Sequence, residues 1–169
     1  MKENKVEKQR YEVIGTLNNN GVVAKDELNK EVILLGKGIG FKRKAGDVID
    51  NPGKNIKCYS LEKNTGKNVL QGVDPIFLEI ANEIIRYAEK EFGDIDTKIL
   101  LPLADHIAFS IDRIKNDMVI SNPLTSDIRL LFADEYEVAK KARKIIKRRL
   151  GYESLMMRLV IFLFIFMQL

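Results

Sequence analysis

The first sixty residues alternate between short apolar runs and clusters of Asn, Gly and Asp. β-Branched and aromatic runs divided by such turn-forming residues are typical of antiparallel strands joined by hairpins. We therefore predict a small four-stranded antiparallel sheet, with strands at residues 11–17, 21–25, 30–35 and 56–60. Because so small a sheet buries little area on its own, we expect a homodimer that covers one of its faces.

From Pro75 onward, apolar residues recur every three or four positions, which is the period of an α-helix. Three helices are predicted, over residues 75–92, 101–114 and 134–150. Gly93 and Gly151 follow the first and the last of them, as helix stops do. The side chains predicted to face inward are Phe77, Ile80, Ala81, Ile84, Tyr87, Ala88, Ile107, Ile111, Ile114, Val138, Ala142, Ile145 and Leu150.

Two further segments complete the predicted layout. A helix is predicted to open at Asn122 and Pro123, where a capping residue precedes a first-turn proline. Residues 61–72 are polar and contain Gly and Asn, which is the composition of a linker. The sequence therefore predicts a multidomain α and β protein: a small antiparallel sheet domain, a linker and an all-α helical bundle.

The charge of the chain is unevenly distributed. Residues 1–60 hold 12 Lys and Arg against 8 Asp and Glu, a net +4, whereas the remaining residues hold 16 against 16. An excess confined to the N-terminal third fits contact with a polyanion, and a solvated lysine-rich surface fits it equally. The single cysteine, Cys58, excludes a disulfide framework, and the polar N-terminus lacks a signal core, so we expect a cytoplasmic protein.

The loop GKGIGFKRKAGD (36–47) carries the strongest recognition signal. Its closely spaced glycines allow the backbone to approach a ligand, and four cations precede its first acid. Cations neutralise phosphate and an aromatic ring such as Phe41 stacks on an unstacked base, so the loop suits nucleic acid. A nucleotide-cradling loop is disfavoured because the GxxxxGK[ST] spacing is missing. A plain glycine-rich turn with solvated lysines stays open on physical grounds.

The segment NNNGVVAKDELNKEVILLGKGIGFKRKAGDVID (18–50) closely resembles the co-antiterminator (CAT) RNA-binding domain of the BglG/SacY family of bacterial transcriptional antiterminators. The motifs ANEIIRYAEKEFG, LADHIAFSIDRI, NPLTSDIRLLFADEYEVA and KARKIIKRRLG resemble the first phosphotransferase-system (PTS) regulation domain, or PRD, of that family. The resemblance implies a CAT domain at residues 8–64, a linker at 65–74, an incomplete PRD at 75–153 and an aberrant apolar tail at 154–169.

The resemblance also implies a function. Family members bind an imperfect RNA hairpin in nascent mRNA and so prevent an overlapping terminator from forming. Carried over by position, the RNA contacts fall on Asn20, Gly36, Lys37 and Phe41, and the neighbouring cations Lys42 and Arg43 join them as candidates. The family often has a lysine three residues before the asparagine turn, where this chain has Gly15; the cations of residues 42–44 are placed to compensate for it.

His106 is the only histidine of the chain. On chemistry alone, a single helical histidine is most often structural, and neither metal ligands nor a hydrolytic nucleophile motif accompanies it. Its motif ADHIAFSIDR, with Ser110 and Arg113 at i+4 and i+7, resembles the family signature around a regulatory histidine. The resemblance implies that His106 is phosphorylated by the sugar-specific enzyme II and the phosphocarrier protein of the PTS, in a protein that is not an enzyme and needs no cofactor or metal.

The last sixteen residues, SLMMRLVIFLFIFMQL, contain one charge. The nine consecutive apolar residues at 159–167 are too few for a bilayer span of about 20, and they lack the polar face of an amphipathic helix. The neighbouring reading frame accommodates Asp-Asp-Glu-Ala-Gly-Tyr-Phe-Ser-Phe-His-Phe-His-Ala-Ala, close to the motif that ends the family's first PRD. We therefore hypothesise a frameshift near codon 153 that removes the second phosphorylatable histidine and a second PRD.

The sequence thus predicts a sugar-responsive antiterminator without a membrane partner. The alternative is a general nucleic-acid-binding or dimerisation module that has no antitermination activity.

Overall fold

The computed structural model describes residues 9–118 and 130–152, which fall into two compact units divided between Pro75 and Ile76. The first unit is built on one antiparallel sheet in the order β4-β1-β2-β3-β5. Its strands are β1 (Arg10–Asn18), β2 (Gly21–Lys25), β3 (Glu31–Leu35), β4 (Val48–Asp50) and β5 (Lys57–Ser60).

The predicted antiparallel sheet is confirmed, with five strands in place of four. The additional strand, β4, is three residues long and pairs at the sheet edge with the start of β1, where Arg10 opposes Asp50 and Glu12 opposes Val48. Of its three side chains only Ile49 is buried. A strand this short contains too few alternating positions to be recognised from a period of two.

Both faces of the central strands are buried. Val22, Val23 and Ala24 are consecutive in β2, so their side chains point to alternate faces, and all three are fully buried. One face packs in a cluster that Ile39 and Ile49 complete. The predicted homodimer stays a prediction.

A short helix, α1 (Gly66–Gly72), occupies the segment that was predicted as a linker. It begins against the sheet, where the N–H of Gly66 donates to Oε2 of Glu31 in β3 at 2.9 Å. Leu70 packs so closely on Gly15 of β1 that a Cβ there would lie 2.7 Å from Cδ1 of the leucine. These contacts make α1 part of the first unit.

The second unit is helical, as predicted. It contains α2 (Pro75–Phe92), a 3-10 turn (Thr97–Ile99), α3 (Leu100–Lys115) and α4 (Ala133–Leu150). Gly93 and Gly151 have φ of 83° and 78°, so both predicted stops take the left-handed conformation that ends a helix. Most predicted inward residues are buried, but four are only half-buried: Phe77, Tyr87, Ile114 and Leu150. Fully buried positions that the prediction omitted include Leu78, Ile85, Ala104, Ala139 and Ile146.

Ion pairs join the last helix to the first helix of this unit. Arg149 of α4 pairs with Glu79 of α2 at 2.6 Å, and Arg148 pairs with Glu83. No helix within residues 9–118 and 130–152 is both long and apolar enough to cross a membrane. The helix start predicted at Asn122 and Pro123 and the tail at 154–169 lie outside the described residues.

Candidate nucleic-acid interface

The β1–β2 hairpin turns through its three asparagines. Asn18 and Gly21 form the closing pair, and the side-chain Oδ1 of Asn18 accepts a hydrogen bond from the N–H of Asn20 at 2.8 Å. The asparagine thus bonds the backbone two residues on, which is the mechanism by which this residue type favours turns. The carbonyl oxygens of Asn19 and Asn20 accept hydrogen bonds from another segment of the chain.

That segment is the loop 36–47, hereafter the glycine loop. The N–H groups of Gly36 and Gly40 donate to the carbonyls of Asn20 and Asn19, each at 3.0 Å. A third bond comes from the side chain, since Oδ1 of Asn20 accepts from the N–H of Gly38 at 3.0 Å. Three hydrogen bonds therefore fix the glycine loop to the asparagine turn, and the two predicted segments form one structure.

The glycines of this loop are required for different reasons. A Cβ at Gly40 would overlap the carbonyl oxygen of Asn18, and one at Gly36 would lie 2.7 Å from the carbonyl oxygen of Asn55. Gly38 has open space around it but a φ of +79°, a conformation that favours glycine. The three glycines of GKGIG are therefore explained by two close backbone approaches, at Gly36 and Gly40, and one left-handed residue, Gly38.

The glycine loop buries one apolar side chain and exposes the next aromatic one. Ile39 is 8% exposed and belongs to the core of the sheet, whereas Phe41 is 57% exposed. The ammonium of Lys42 lies 5.4 Å from the centroid of the Phe41 ring, and the backbone of Lys42 is left-handed at a φ of 56°. An exposed ring beside a cation is an arrangement that stacks on a base and neutralises a phosphate.

The structure thus brings together all six residues that were predicted to contact RNA. Lys37, Phe41, Lys42 and Arg43 expose their side chains to solvent on the glycine loop. Asn20 and Gly36 are only half-exposed and are held in the bonds between turn and loop. The set therefore divides into four exposed side chains and two half-exposed residues that shape the loop.

Sequence reasoning missed the residues that anchor the far end of the glycine loop. Oγ1 of Thr16 donates to the carbonyl of Arg43 at 2.9 Å, and Oδ2 of Asp47 accepts from the N–H of Lys44 at 3.0 Å. The bond of Asp47 is local, since it joins residues three positions apart within KAGD. The threonine carries no such local signal, because its partner is 27 residues away.

Gly15 lies next to α1. The position at which its side chain would begin faces Leu70, so a longer side chain here would displace that leucine. The glycine therefore provides the space in which α1 packs.

His106 lies on α3 at the border between the core and the solvent. It is half-buried, its carbonyl accepts from Oγ of Ser110 at 2.7 Å, and its Nε2 is buried without a hydrogen-bond partner among the residues described. Burial lowers the pKa of the imidazole below its ordinary value. A neutral imidazole is the form that accepts a phosphoryl group, because a ring nitrogen then keeps its lone pair.

The two units together define a class of protein: a nucleic-acid-binding sheet domain followed by a helical domain with a partly exposed histidine. The model of the CAT RNA binding domain matches residues 11–68, and that of the PRD domain matches residues 78–167. The chain belongs to the BglG/SacY family, in which a CAT RNA-binding domain precedes a PRD. This is a family of regulatory RNA-binding proteins and is not an enzyme class.

Relatives with both domains are found among staphylococcal proteins. Protein GlcT of Staphylococcus aureus strain bovine RF122 / ET3-1 is 36% identical over 137 residues, which are 78% of this chain and 48% of that protein. Protein GlcT of strain JH9 matches to the same extent. The chain therefore spans about half the length of the curated relatives it matches.

A solved structure has the same fold. The crystal structure of GlcT CAT-PRDI superposes with a TM-score of 0.78 at 28% identity, over 94% of this chain and 96% of that one. The PRD match runs to residue 167 and so includes most of the apolar tail. The origin of that tail in a frameshift stays a prediction.

Proposed function

We propose that this protein is a sugar-responsive transcriptional antiterminator, which binds an RNA hairpin in nascent mRNA in the cytoplasm and prevents a terminator from forming. The observation that carries the proposal is the glycine loop, fixed to the asparagine turn, with Phe41 and four cationic side chains exposed on it. Membership of the family supports the same function.

The exposed groups of the glycine loop have two different roles in recognition. Lys37, Lys42 and Arg43 neutralise phosphates, which supplies salt-dependent affinity for any nucleic acid. Phe41 stacks on a base that the hairpin leaves unpaired, which favours an RNA with bulges or internal loops over a regular duplex. The hydrogen bonds of Asn20 and Gly36 hold these groups in one arrangement before RNA binds. Little conformational entropy is therefore lost when the complex forms.

A gel-shift titration of the full chain on an imperfect RNA hairpin tests this proposal. We expect the hairpin to bind more tightly than a fully paired RNA of the same length or a DNA duplex. Lys37→Ala should weaken binding and reduce its salt dependence. Lys30→Ala is the matched control, because Lys30 is an exposed cation in the β2–β3 turn, at the other end of β2. Equal binding of hairpin and duplex would instead support the general binding module.

We further propose that phosphorylation of His106 by PTS components regulates this activity. His106 is half-buried on α3, so a phosphoryl group added there places new negative charge at the border of the helical core. The sugar-specific enzyme II and the phosphocarrier protein are the proposed donors. Radiolabelled phosphate should transfer from them to the full chain, and His106→Ala should abolish the label.

Finally, we propose that the protein acts as a homodimer, as its family membership implies. The strands β4 and β5 are the outer strands of the sheet, and Val48 of β4 is an exposed apolar residue. Such edges are places where a second copy adds to a sheet. Sedimentation equilibrium at the concentration used for RNA binding should give twice the chain mass, and a monomer that binds RNA fully would contradict the dimer.

A further inference from the structure

Three side chains of α3 form a row along the helix. His106, Phe109 and Arg113 are separated by three and then four residues, a spacing that places neighbours on successive turns of one helix side. Phe109 is 58% exposed, and the guanidinium carbon of Arg113 lies 5.6 Å from the centroid of its ring. Helical side chains lean toward the N-terminus, and Arg113 therefore already reaches back one turn along the row toward His106.

A phosphoryl group on His106 would need a nearby cation. It carries close to two negative charges at neutral pH, and the preceding residue, Asp105, is an exposed acid. The basic residues of α3 are Arg113 and Lys115. The ammonium of Lys115 lies 5.9 Å from the centroid of the Tyr152 ring, outside the row. Arg113 is therefore the basic residue of α3 that lies in the row with His106.

The chemistry of Arg113 suits this group. A guanidinium presents a planar fork of N–H donors that matches the oxygens of a phosphoryl group in pairs. Its present contact, a cation over an exposed ring, is weaker than a charge-assisted pair of hydrogen bonds to a dianion. The distance still to be covered is that from Phe109 to His106, three residues or about 4.5 Å along the helix axis.

We propose that Arg113 is the phosphoryl-binding residue of the His106 site, and that its guanidinium exchanges the ring of Phe109 for the phosphoryl oxygens when His106 is modified. The inference rests on the proposed phosphorylation of His106. In that step the bond between phosphorus and the donor side chain of the phosphocarrier protein breaks, and a P–N bond to an imidazole nitrogen of His106 forms. Arg113 contributes hydrogen bonds and charge and forms no covalent bond.

The exchange has a structural consequence at Phe109. In the unmodified protein the guanidinium covers one face of an exposed ring. Once the guanidinium has moved to the phosphoryl group, that face is bare, and the row presents an aromatic surface beside a neutralised phosphate. Phosphorylation would then alter the apolar surface of α3 as well as its charge.

The test is the equilibrium between the full chain and a fixed pool of labelled phosphocarrier protein. Because transfer is reversible, the ratio of phosphorylated to free protein measures how well the site holds the phosphoryl group, independently of how fast the donor docks. Arg113→Gln should lower this ratio about tenfold, and Arg113→Lys should restore part of it. Lys115→Gln is the matched control, a neighbouring cation outside the row, and should leave the ratio unchanged.

An unchanged ratio in a folded Arg113→Gln variant, or an equal fall in Lys115→Gln, would overturn the assignment of Arg113. If Arg113→Gln fails to fold by circular dichroism, the ratio measured for Arg113→Lys decides. A lysine keeps the charge but loses the fork, so a ratio equal to that of the unmodified sequence would overturn the assignment. A failure of the underlying function has a different signature. In that case the unmodified sequence takes up no label, or His106→Ala keeps it.

Discussion

Oδ1 of Asn20 accepts a hydrogen bond from the backbone N–H of Gly38 at 3.0 Å, across 18 residues of chain. The carbonyl oxygen of the same asparagine accepts from the N–H of Gly36. One residue of the hairpin turn thus holds two points of the glycine loop. Its side-chain oxygen is engaged within the protein, which leaves the Nδ2 donor of the amide for a ligand.

This relationship predicts separate effects for two substitutions of Asn20. Asn20→Ala removes the acceptor, so hydrogen exchange at the Gly38 amide should accelerate about fivefold and RNA affinity should fall. Asn20→Asp keeps the acceptor and should leave the exchange rate unchanged, while the lost donor and the added negative charge weaken RNA binding. NMR exchange and gel shifts measure the two effects.

Asn19→Ala is the control for both measurements, because the side chain of Asn19 is exposed in the same turn. It should leave the Gly38 amide protected. Fast exchange in Asn19→Ala as well would mean that the whole turn loosens, and the role given to the Asn20 side chain would be lost.

Gly40→Ala should destabilise the first unit. The added Cβ would overlap the backbone oxygen of Asn18, which cannot move aside as the end of a flexible side chain can. We expect the free energy of unfolding to fall by about 2 kcal/mol or more, measured by urea denaturation. Gly72→Ala is the control, since nothing lies within 4 Å of that position, and it should be neutral or slightly stabilising.

Phe41→Ala should weaken hairpin binding without affecting stability. Loss of one base–aromatic stack costs about 1–3 kcal/mol, or roughly 5- to 150-fold in Kd. Because the ring is 57% exposed, the urea midpoint should stay within error of the parent protein. Leu28→Ala removes a similarly exposed apolar side chain at the other end of β2 and should not affect binding. Unchanged affinity of Phe41→Ala would contradict the stacking role.

Acid should destabilise the second unit through His106. Burial lowers the pKa of this imidazole below its ordinary 6.5, so the folded state prefers the neutral ring. The unfolded state therefore binds the proton more readily, and stability present above pH 6.5 is lost as the pH falls toward the folded-state pKa. The single imidazole signal of the chain allows a direct NMR titration. His106→Gln should flatten the pH dependence over that range, and a titration at or above 6.5 would contradict the prediction.

Glu31→Ala should loosen α1. The carboxylate of Glu31 binds the N–H of Gly66 at a partly buried position, and its loss should cost about 1 kcal/mol of unfolding free energy. Glu31→Gln retains an acceptor and should cost less. Glu27→Ala, a change of an exposed acid in the β2–β3 turn, is the control and should have no effect on urea denaturation. A loss of equal size in Glu27→Ala would point to net charge as the cause.

The sequence predicted those parts of the fold that local patterns encode. The strands around Val22–Ala24 and Val32–Leu35 and the helices that end at Gly93 and Gly151 follow from period and stop residues. The helix α1 could not be predicted in this way, because its polar sequence GKNVLQG begins and ends with glycine, and Leu70 packs against Gly15 on the sheet. Tertiary contact outweighs intrinsic propensity there.

The candidate interface shows the same limit. Residue types identified the glycine loop and the asparagine turn, since glycines, cations and an aromatic residue can be recognised in the sequence alone. The bond between Asn20 and Gly38, the support from Thr16 and the contact of Arg113 with Phe109 all depend on distance in space. The sequence therefore identified the candidate residues. It could not say which of them hold the glycine loop in place and which are exposed to a ligand.

The packing of Leu70 against Gly15 also changes the length of the free connection along the chain. Because α1 is attached to β1 and β3, the segment outside both units shrinks from the predicted twelve residues to Val73 and Asp74, the two residues between α1 and α2. Most of the segment with the composition of a linker is therefore folded as part of the sheet domain.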